Sequence, residues 1–414
     1  MTGEIKVYER ERFPSDKCLT FIYHVPFWVN EGKIWTNYPP IGKYVDSLCP
    51  YFKKILIYSP TLENNEKGLF CLRNTNIEIR YVGKQSSAIL YYRHLFSFYK
   101  RYQQDAKEWD LLHIRIPTLT AFPAYLGAKS NRVPTFLVLV GENYAYQRLA
   151  GYKGIKLVVS NIFARLHDSF IKIMAGNSLT FANGKDLVKK YSKPEKPVIE
   201  MRSSTILDAD INYDGVHNEV HSPIKILTVA AVAGRKGTSL LPEIISKLNA
   251  LGIFVEWNWV GYVDGSAGEK EKLKTIRLAE EYGILSQLDF LDVLSHEELF
   301  KKYRQADIFV LPTYMEGVPR VILEAQAAGL PVVTTKVGGI PDAVQNMFDA
   351  FLVSAGQVDE FVSAIQKLSL DTEIRIKLIN NGLISAGNFT IESETKKMMD
   401  LVFANLTFPI KPGD

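Results

Sequence analysis

The chain has 414 residues, too many for one ordinary core, and its 47% hydrophobic and 23% charged content excludes disorder and fits two domains of about 200 residues each. The net charge of +4 hides an asymmetry: residues 1–205 carry 30 Lys+Arg against 17 Asp+Glu, and residues 206–414 carry 19 against 28. Cys18, Cys49 and Cys71 are widely spaced without a CxxC pair, which argues against a disulfide framework or zinc site and for a reducing compartment.

The start, MTGEIKVYERERF, is charged and lacks the apolar run of a signal peptide. No apolar run reaches the roughly 20 residues that a membrane-spanning helix needs. The expectation is a cytoplasmic protein, soluble or peripheral on the inner face of a membrane. The basic first half fits an anionic partner: lipid headgroups, a lipid-phosphate acceptor or an anionic glycan. A basic face that merely keeps the domain soluble fits it too. Nothing in the sequence points to nucleic acid.

In chain order, the first half gives strand candidates at Leu19–His24, Lys54–Tyr58, Ile77–Tyr81, Leu111–Ile114, Thr135–Val140 and Ser178–Phe181. Helical patterns lie in SSAILYYRHLFSFYKRYQQ and IFARLHDSFIKIMAG. The first is aromatic with interspersed Arg93, Lys100 and Arg101, as in an interfacial helix or one packed on a sheet with its basic residues outward. Residues 198–225 are polar and interrupted, which places a boundary there. The second half gives strands at Ile224–Val229, Phe254–Val260, Leu288–Leu291, Ile308–Leu311, Val332–Thr335 and Phe351–Val353, alternating with helices, several of which end at a glycine (Gly252, Gly283, Gly329). Strand–helix alternation predicts parallel sheets covered on both faces. The domains predicted are 1–205 and 206–390, with 391–414 returning to the first. No GxGxxG follows a strand, which argues against a dinucleotide oxidoreductase. Asp208-Ala-Asp210 matches a DxD metal motif but falls in the linker, where chance explains it. No metal-ligand cluster is visible, so no cofactor or metal is expected.

The most informative stretch is ADIFVLPTYMEGVPRVILEAQAAGLPVVTTKVGGIPD, residues 306–342. A strand ends near Leu311, a loop follows, and a helix begins near Pro319, a residue suited to a first helical turn. Glu316 then lies in the loop and Glu324 in the helix, and both can face one crevice. Backbone N–H groups at Gly317 and Val318 can donate to an anion or to sugar hydroxyls. A carboxylate accepts both hydroxyls of a ribose in charge-assisted bonds. Two Glu at this spacing mean little alone; the surrounding pattern carries the reading.

That pattern resembles the E-x7-E region of retaining glycosyltransferases of family four. It is similar in particular to the polysaccharide-biosynthesis branch reading E-G-[LV]-P-R-V-x-x-E-A-x-A-x-G-x-P-V-V, complete from Glu316 to Val333. The resemblance implies a GT-B fold, two Rossmann-like doubly wound domains facing a cleft. It implies transfer of a sugar, with retention, from a nucleoside diphosphate sugar to a hydroxyl of a glycan or lipid-linked acceptor. Glu324 would bind the ribose and Glu316 would position the donor sugar as the catalytic residue. Pro319 belongs to the same motif. A second match, KILTVAAVAGRKGTSLLPEI, places Lys236-Gly237 near a helix start as the diphosphate site. The family's Gly-Arg is absent, its places held by Ala230 and Ala231, and Arg235 is the substitute cation. A third match puts Gly261 after its strand and includes the E-L-x-x-x-Y-x-x-A-D run that contains Tyr303.

The acceptor half is less legible. The family's histidine after the Lys-x-Pro strand is absent, with Val140-Gly141-Glu142 in its place. Acceptor-side candidates are Glu142, His113 and Arg115 in LLHIRIP, and His24 closing FIYH. Two rival functions share the fold: a sugar-nucleotide epimerase, against which E-G-V-P-R argues, and a non-catalytic partner that binds nucleotide sugar without turnover.

Overall fold

The structure, a computed structural model, describes residues 16–61, 66–84, 94–141, 155–212, 220–317 and 319–408. Two compact units divide the chain: Met1–Ser203 with Glu394–Asp414, and Ser204–Ser393.

The first unit is built on strands β1 (Cys18–Ile22), β4 (Lys54–Thr61), β6 (Ile77–Lys84), β7 (Leu111–Ile116), β8 (Thr135–Leu139), β9 (Leu179–Asn183) and β10 (Ile199–Met201). They pair in parallel in the order β10-β9-β8-β7-β1-β4-β6. Several of these strands outrun the stretches read from sequence, because Ser59, Lys84 and Arg115 continue the ladder as polar residues. β10 lies inside the segment that the sequence reads as linker. Its three residues are too few to show a period, and it forms by adding to the free edge of β9. A small antiparallel sheet, β2 (Trp28–Asn30), β3 (Lys33–Thr36) and β5 (Phe70–Cys71), is likewise too short to read. The helices Leu95–Asp105, Ala121–Ser130 and Ile155–Ala175 cover one face. On the other, the helix Pro39–Leu48 packs with Met398, Met399 and Val402 of the last helix, Ile391–Asn405. In the aromatic helix, Tyr102 is buried while Phe96 is exposed with Lys100 Nζ 4.8 Å over its ring; Arg93 lies outside the described residues.

The second unit holds β11 (Ile224–Val229), β12 (Val255–Val260), β13 (Leu288–Leu291), β14 (Ile308–Leu311), β15 (Val332–Thr335) and β16 (Phe351–Val353), all parallel, in the order β13-β12-β11-β14-β15-β16. β14 and β15 are apolar or Thr and buried on both faces, as parallel strands covered by two helical layers must be. Phe254 stands outside β12 with 61% exposure. Trp257 and Trp259 are nearly inaccessible, and their indole N–H groups donate to Thr228 Oγ1 and the Ala230 carbonyl. Gly252, Gly283 and Gly329 all take positive φ where helices end, the left-handed cap that lets the chain turn into the next strand.

In both units the first strand is central and the strand order reverses beside it. In the second unit this switch point lies between β11 and β14, so the loops leaving those two strands border one crevice.

Candidate active site

The β11 loop runs from Ala230 through the short 3-10 turns Gly234–Lys236 and Thr238–Leu240 before the helix Leu241–Ala250, which carries Pro242 in its first turn. Lys236 therefore stands five positions before the α-helix, not in its first turn. The 3-10 segments absorb the residues that the sequence assigned to an immediate helix start.

Two glycines bring the loops together. Gly237 has φ +74°, and a Cβ there would sit 1.9 Å from the Pro312 carbonyl oxygen, so only glycine lets the β11 loop lie on the β14 loop. Gly338, with φ +54°, makes the same approach from the β15 loop, 1.8 Å from the Glu316 carbonyl oxygen. The contact is pinned by hydrogen bonds. Tyr314 N–H donates to the Arg235 carbonyl at 2.8 Å, Thr335 Oγ1 to the Thr313 carbonyl at 2.7 Å, and Gly339 N–H to the Gly317 carbonyl at 3.0 Å. Gly261, with φ +151°, packs against the Ala230 carbonyl and fixes the start of the β11 loop.

This scaffold brings Lys236 and Glu316 together. Lys236 Nζ donates to Glu316 Oε1, and the two side chains are only 10% and 15% exposed. Arg235 points elsewhere: its guanidinium meets Asp264 Oδ2 at 3.2 Å, both side chains 44% exposed. The two cations of the Arg235-Lys236 pair thus serve different carboxylates. Position 231, where the pattern that the sequence resembles carries arginine, holds alanine.

Glu324 lies in the helix Arg320–Ala327, half-buried. Pro319 is the N-cap, one position before the helix and not inside its first turn; it offers no side-chain oxygen to the first-turn N–H groups, of which Ile322 N–H donates to the Pro319 carbonyl at 3.3 Å. Gly317 is exposed, and a Cβ there would meet nothing within 4 Å. Val318 lies outside the described residues. Glu324 Oε1 accepts from Thr205 Oγ1 at 2.6 Å and Oε2 from Tyr303 Oη at 3.2 Å. Burial and the Glu324 charge both push the Tyr303 phenol well above its usual range, so it stays a donor. Tyr303 belonged to a recognisable run; Thr205, on a polar segment with no period, could not have been found from sequence. Asp210 of the DxD-like triplet is turned inward, accepting from Leu207 N–H at 2.8 Å and lying 3.2 Å from His296 Nε2. Among the described residues no cluster of His, Cys, Asp and Glu could hold a metal ion.

In the first unit, His113 is fully buried, stacked on Phe136 and 2.9 Å from Tyr44 Oη. Burial and the Arg115 charge hold its imidazole well below the usual range. It is a core residue and leaves the list of acceptor-side candidates, because β7 extends to Ile116 and makes position 113 mid-strand. His24 lies two residues past the end of β1 and does not close it; its Nδ1 is 2.6 Å from the Pro117 carbonyl. Burial also lowers its pKa. Arg115 is half-buried near the end of β7, its guanidinium 4.5 Å from the Tyr44 ring centroid. Glu142 lies outside the described residues.

Residues 211–383 match the family model described as glycosyl transferases group 1. Over 135 residues the chain is 37% identical to D-inositol 3-phosphate glycosyltransferase of Corynebacterium jeikeium, covering 33% of this chain and 32% of that protein. The chain thus matches about a third of the length of such relatives. Among solved structures, Anabaena HepE in complex with UDP superposes with a TM-score of 0.64 at 17% identity, covering 94% of this chain and all of that one. Sucrose-phosphate synthase of Thermosynechococcus elongatus gives 0.60 at 16%, with the same coverage. The fold is GT-B, with two Rossmann-like units. No described helix is long and apolar enough to cross a membrane.

Proposed function

We propose that this chain is a retaining glycosyltransferase of family four. It would move a hexosyl unit from a nucleoside diphosphate sugar to a hydroxyl of a glycan or lipid-linked acceptor in cell-surface polysaccharide or glycolipid synthesis. The second unit would be the donor half and the first the acceptor half. The observation that carries this is the Lys236–Glu316 pair at the β11/β14 switch point, with Glu324 on the adjoining helix. The matched segment 211–383 contains all three residues.

The chemistry follows from the groups. An ammonium has three N–H donors, and one of those on Lys236 is on Glu316. The others suit a diphosphate. When the bond between anomeric carbon and diphosphate oxygen breaks, negative charge develops on the leaving group beside Lys236 and the start of the helix Arg320–Ala327. The acceptor oxygen bonds to the anomeric carbon on the face that the diphosphate leaves, as retention requires, and its proton passes to the departing diphosphate oxygen. Glu324, aimed by Thr205 and Tyr303, keeps lone pairs for the ribose hydroxyls. The scheme calls for no resident metal or cofactor. The basic first half fits peripheral attachment to an anionic inner membrane surface in the cytoplasm.

One observation favours a second reading, a partner protein that binds nucleotide sugar without turnover. The family arginine is missing at Ala231, and Arg235 is engaged by Asp264. A thermal-shift panel of UDP, GDP, ADP and dTDP on wild type and Glu324→Ala tests donor binding. A nucleotide at 100 times its Kd stabilises by about 2.7 kcal/mol. The expected result is one responding base and loss of the response in the variant; no response from any nucleotide overturns the donor site. Product anomeric configuration by NMR tests retention, and binding without turnover selects the partner reading.

A further inference from the structure

We propose that the first unit holds an anionic group of its ligand, a phosphate or a carboxylate, at Arg115. If that unit is the acceptor half, as proposed above, the acceptor is an anionic molecule.

The position comes from topology. β1 and β7 are neighbours, with β4 and β6 on one side and β8, β9 and β10 on the other, so the strand order reverses between them. Ligands of doubly wound sheets bind outside the carboxyl ends of strands at this place. Arg115 is the penultimate residue of β7. His24, just past β1, bridges to the Pro117 carbonyl beyond β7 and closes the floor between the two strands. Beyond β8, the next strand, a Cβ added at Gly141 would meet no described atom within 4 Å.

The chemistry comes from what Arg115 does and does not touch. Its guanidinium lies over two aromatic rings, 4.5 Å from the centroid of Tyr44 and 5.7 Å from that of Tyr23. Its Nε is buried and has no hydrogen-bond partner among the described residues. No described carboxylate pairs with it. Arg80 in the same unit shows the usual solution, bonded to Glu78 at 3.0 Å and to Glu108. A guanidinium drawn out of water needs an anion or a set of acceptors, and aromatic faces return only part of the lost hydration. The titratable neighbours supply no anion. Burial and the Arg115 charge keep His24 and His113 neutral, and Tyr44, a hydrogen-bonding neighbour of the guanidinium, stays protonated because it is buried. A planar five-donor fork on an aromatic platform, with no carboxylate partner among the described residues, is a receptor for a bidentate oxyanion.

Calorimetric titration of the full chain tests this, with glucose 6-phosphate, glucuronate and inorganic phosphate as probes and glucose as the neutral control. Wild type should bind at least one anionic sugar about tenfold or more tightly than glucose, a ratio in the range of one charge-assisted bidentate contact. Arg115→Gln should lose that preference, and Arg115→Lys should keep part of it. Lys236→Ala should keep all of it, which separates this site from a phosphate seated in the second unit. A melting curve of each variant and its response to the nucleotide that binds wild type report folding. Glucose 6-phosphate without glucuronate identifies phosphate as the group recognised; the reverse identifies a carboxylate. Equal binding of anionic and neutral sugars, loss in Lys236→Ala instead of Arg115→Gln, or unaltered binding in Arg115→Gln each overturns the proposal and leaves Arg115 as a packing residue. Binding of anionic sugar with no nucleotide response from any variant would sink the donor-site reading and leave this site standing.

Discussion

Lys236 and Glu316, eighty positions apart in the chain, share a hydrogen bond beyond the carboxyl ends of the two central strands of the second unit's sheet. The pair is mostly shielded from water. Removing one partner therefore strands the other charge. Lys236→Ala should lower the melting free energy by about 1–3 kcal/mol. It should also weaken nucleoside diphosphate binding by about tenfold or more. The double variant with Glu316→Ala should be less destabilised than the two single changes summed, as a double-mutant thermal cycle would show. Glu316→Gln, which keeps the shape, should reduce turnover by about two orders of magnitude or more.

Tyr303 acts on Glu324 from behind. Its hydroxyl donates towards Glu324 Oε2 at 3.2 Å and lies 3.3 Å from the Val321 carbonyl. Tyr303→Phe removes that donor and keeps the ring packed against Phe300 and Phe309. The expected effect is a rise in nucleotide Kd of roughly three- to tenfold, about one neutral-to-charged hydrogen bond or less. A calorimetric Kd equal to wild type would show that Glu324 needs no such positioning.

Gly237 and Gly338 admit no side chain. Alanine at either would have to hold positive φ and would meet a backbone carbonyl oxygen below 2 Å. Gly237→Ala and Gly338→Ala should each cost more than about 2 kcal/mol in thermal or urea unfolding. Gly252→Ala, with similar φ but open space around it, should cost about 1 kcal/mol. Comparable losses at all three would mean that backbone strain alone, not loop contact, governs these positions.

Arg235 and Asp264 form an exposed pair, and such pairs contribute about 0–1 kcal/mol. Arg235→Ala should therefore leave the melting temperature nearly unchanged. If the guanidinium turns to the donor, the variant should lose affinity for nucleoside diphosphates while keeping that for the monophosphate. Equal losses for both ligands would exclude Arg235 as the replacement for the missing family arginine.

His167, in the helix Ile155–Ala175, is buried, and desolvation lowers its pKa from 6.5 to about 4. The unfolded chain takes up a proton in that interval and the folded chain does not. Stability from this group is therefore complete above pH 6.5 and declines as pH falls towards 4, by up to about 3 kcal/mol. His24 and His113 shift in the same direction. Melting curves between pH 7.5 and 4.5 should show a smaller acid loss for His167→Leu than for wild type. Parallel curves would place the proton uptake elsewhere.

Much of the second unit was legible in sequence. The bounds of β11, β13, β14, β15 and β16 match those read from sequence; β14 and β15, buried on both faces, are apolar or Thr along their length, while β11 carries Lys225 and β13 carries Asp289. The first unit was harder: Arg115 lies within β7, and the Trp28–Asn30 hairpin is too short for any period to show. His113 illustrates the cost. A histidine beside an arginine near a strand end suggests chemistry, yet one more turn of the ladder to Ile116 buries it under Tyr44 and Phe136.

The sequence by itself determined the parallel α/β class and the motif on which Glu316, Glu324 and Lys236 stand, because period, turn residues and motif spacing are local properties of the chain. Only the tertiary structure decided which groups these residues meet. That Lys236 lies on Glu316, that Arg235 turns to Asp264, that Thr205 and Tyr303 aim Glu324, and that Arg115 sits on two aromatic rings all depend on contacts between distant segments. Those contacts follow from strand order and from glycine-sized clearances between loops, which no local pattern encodes.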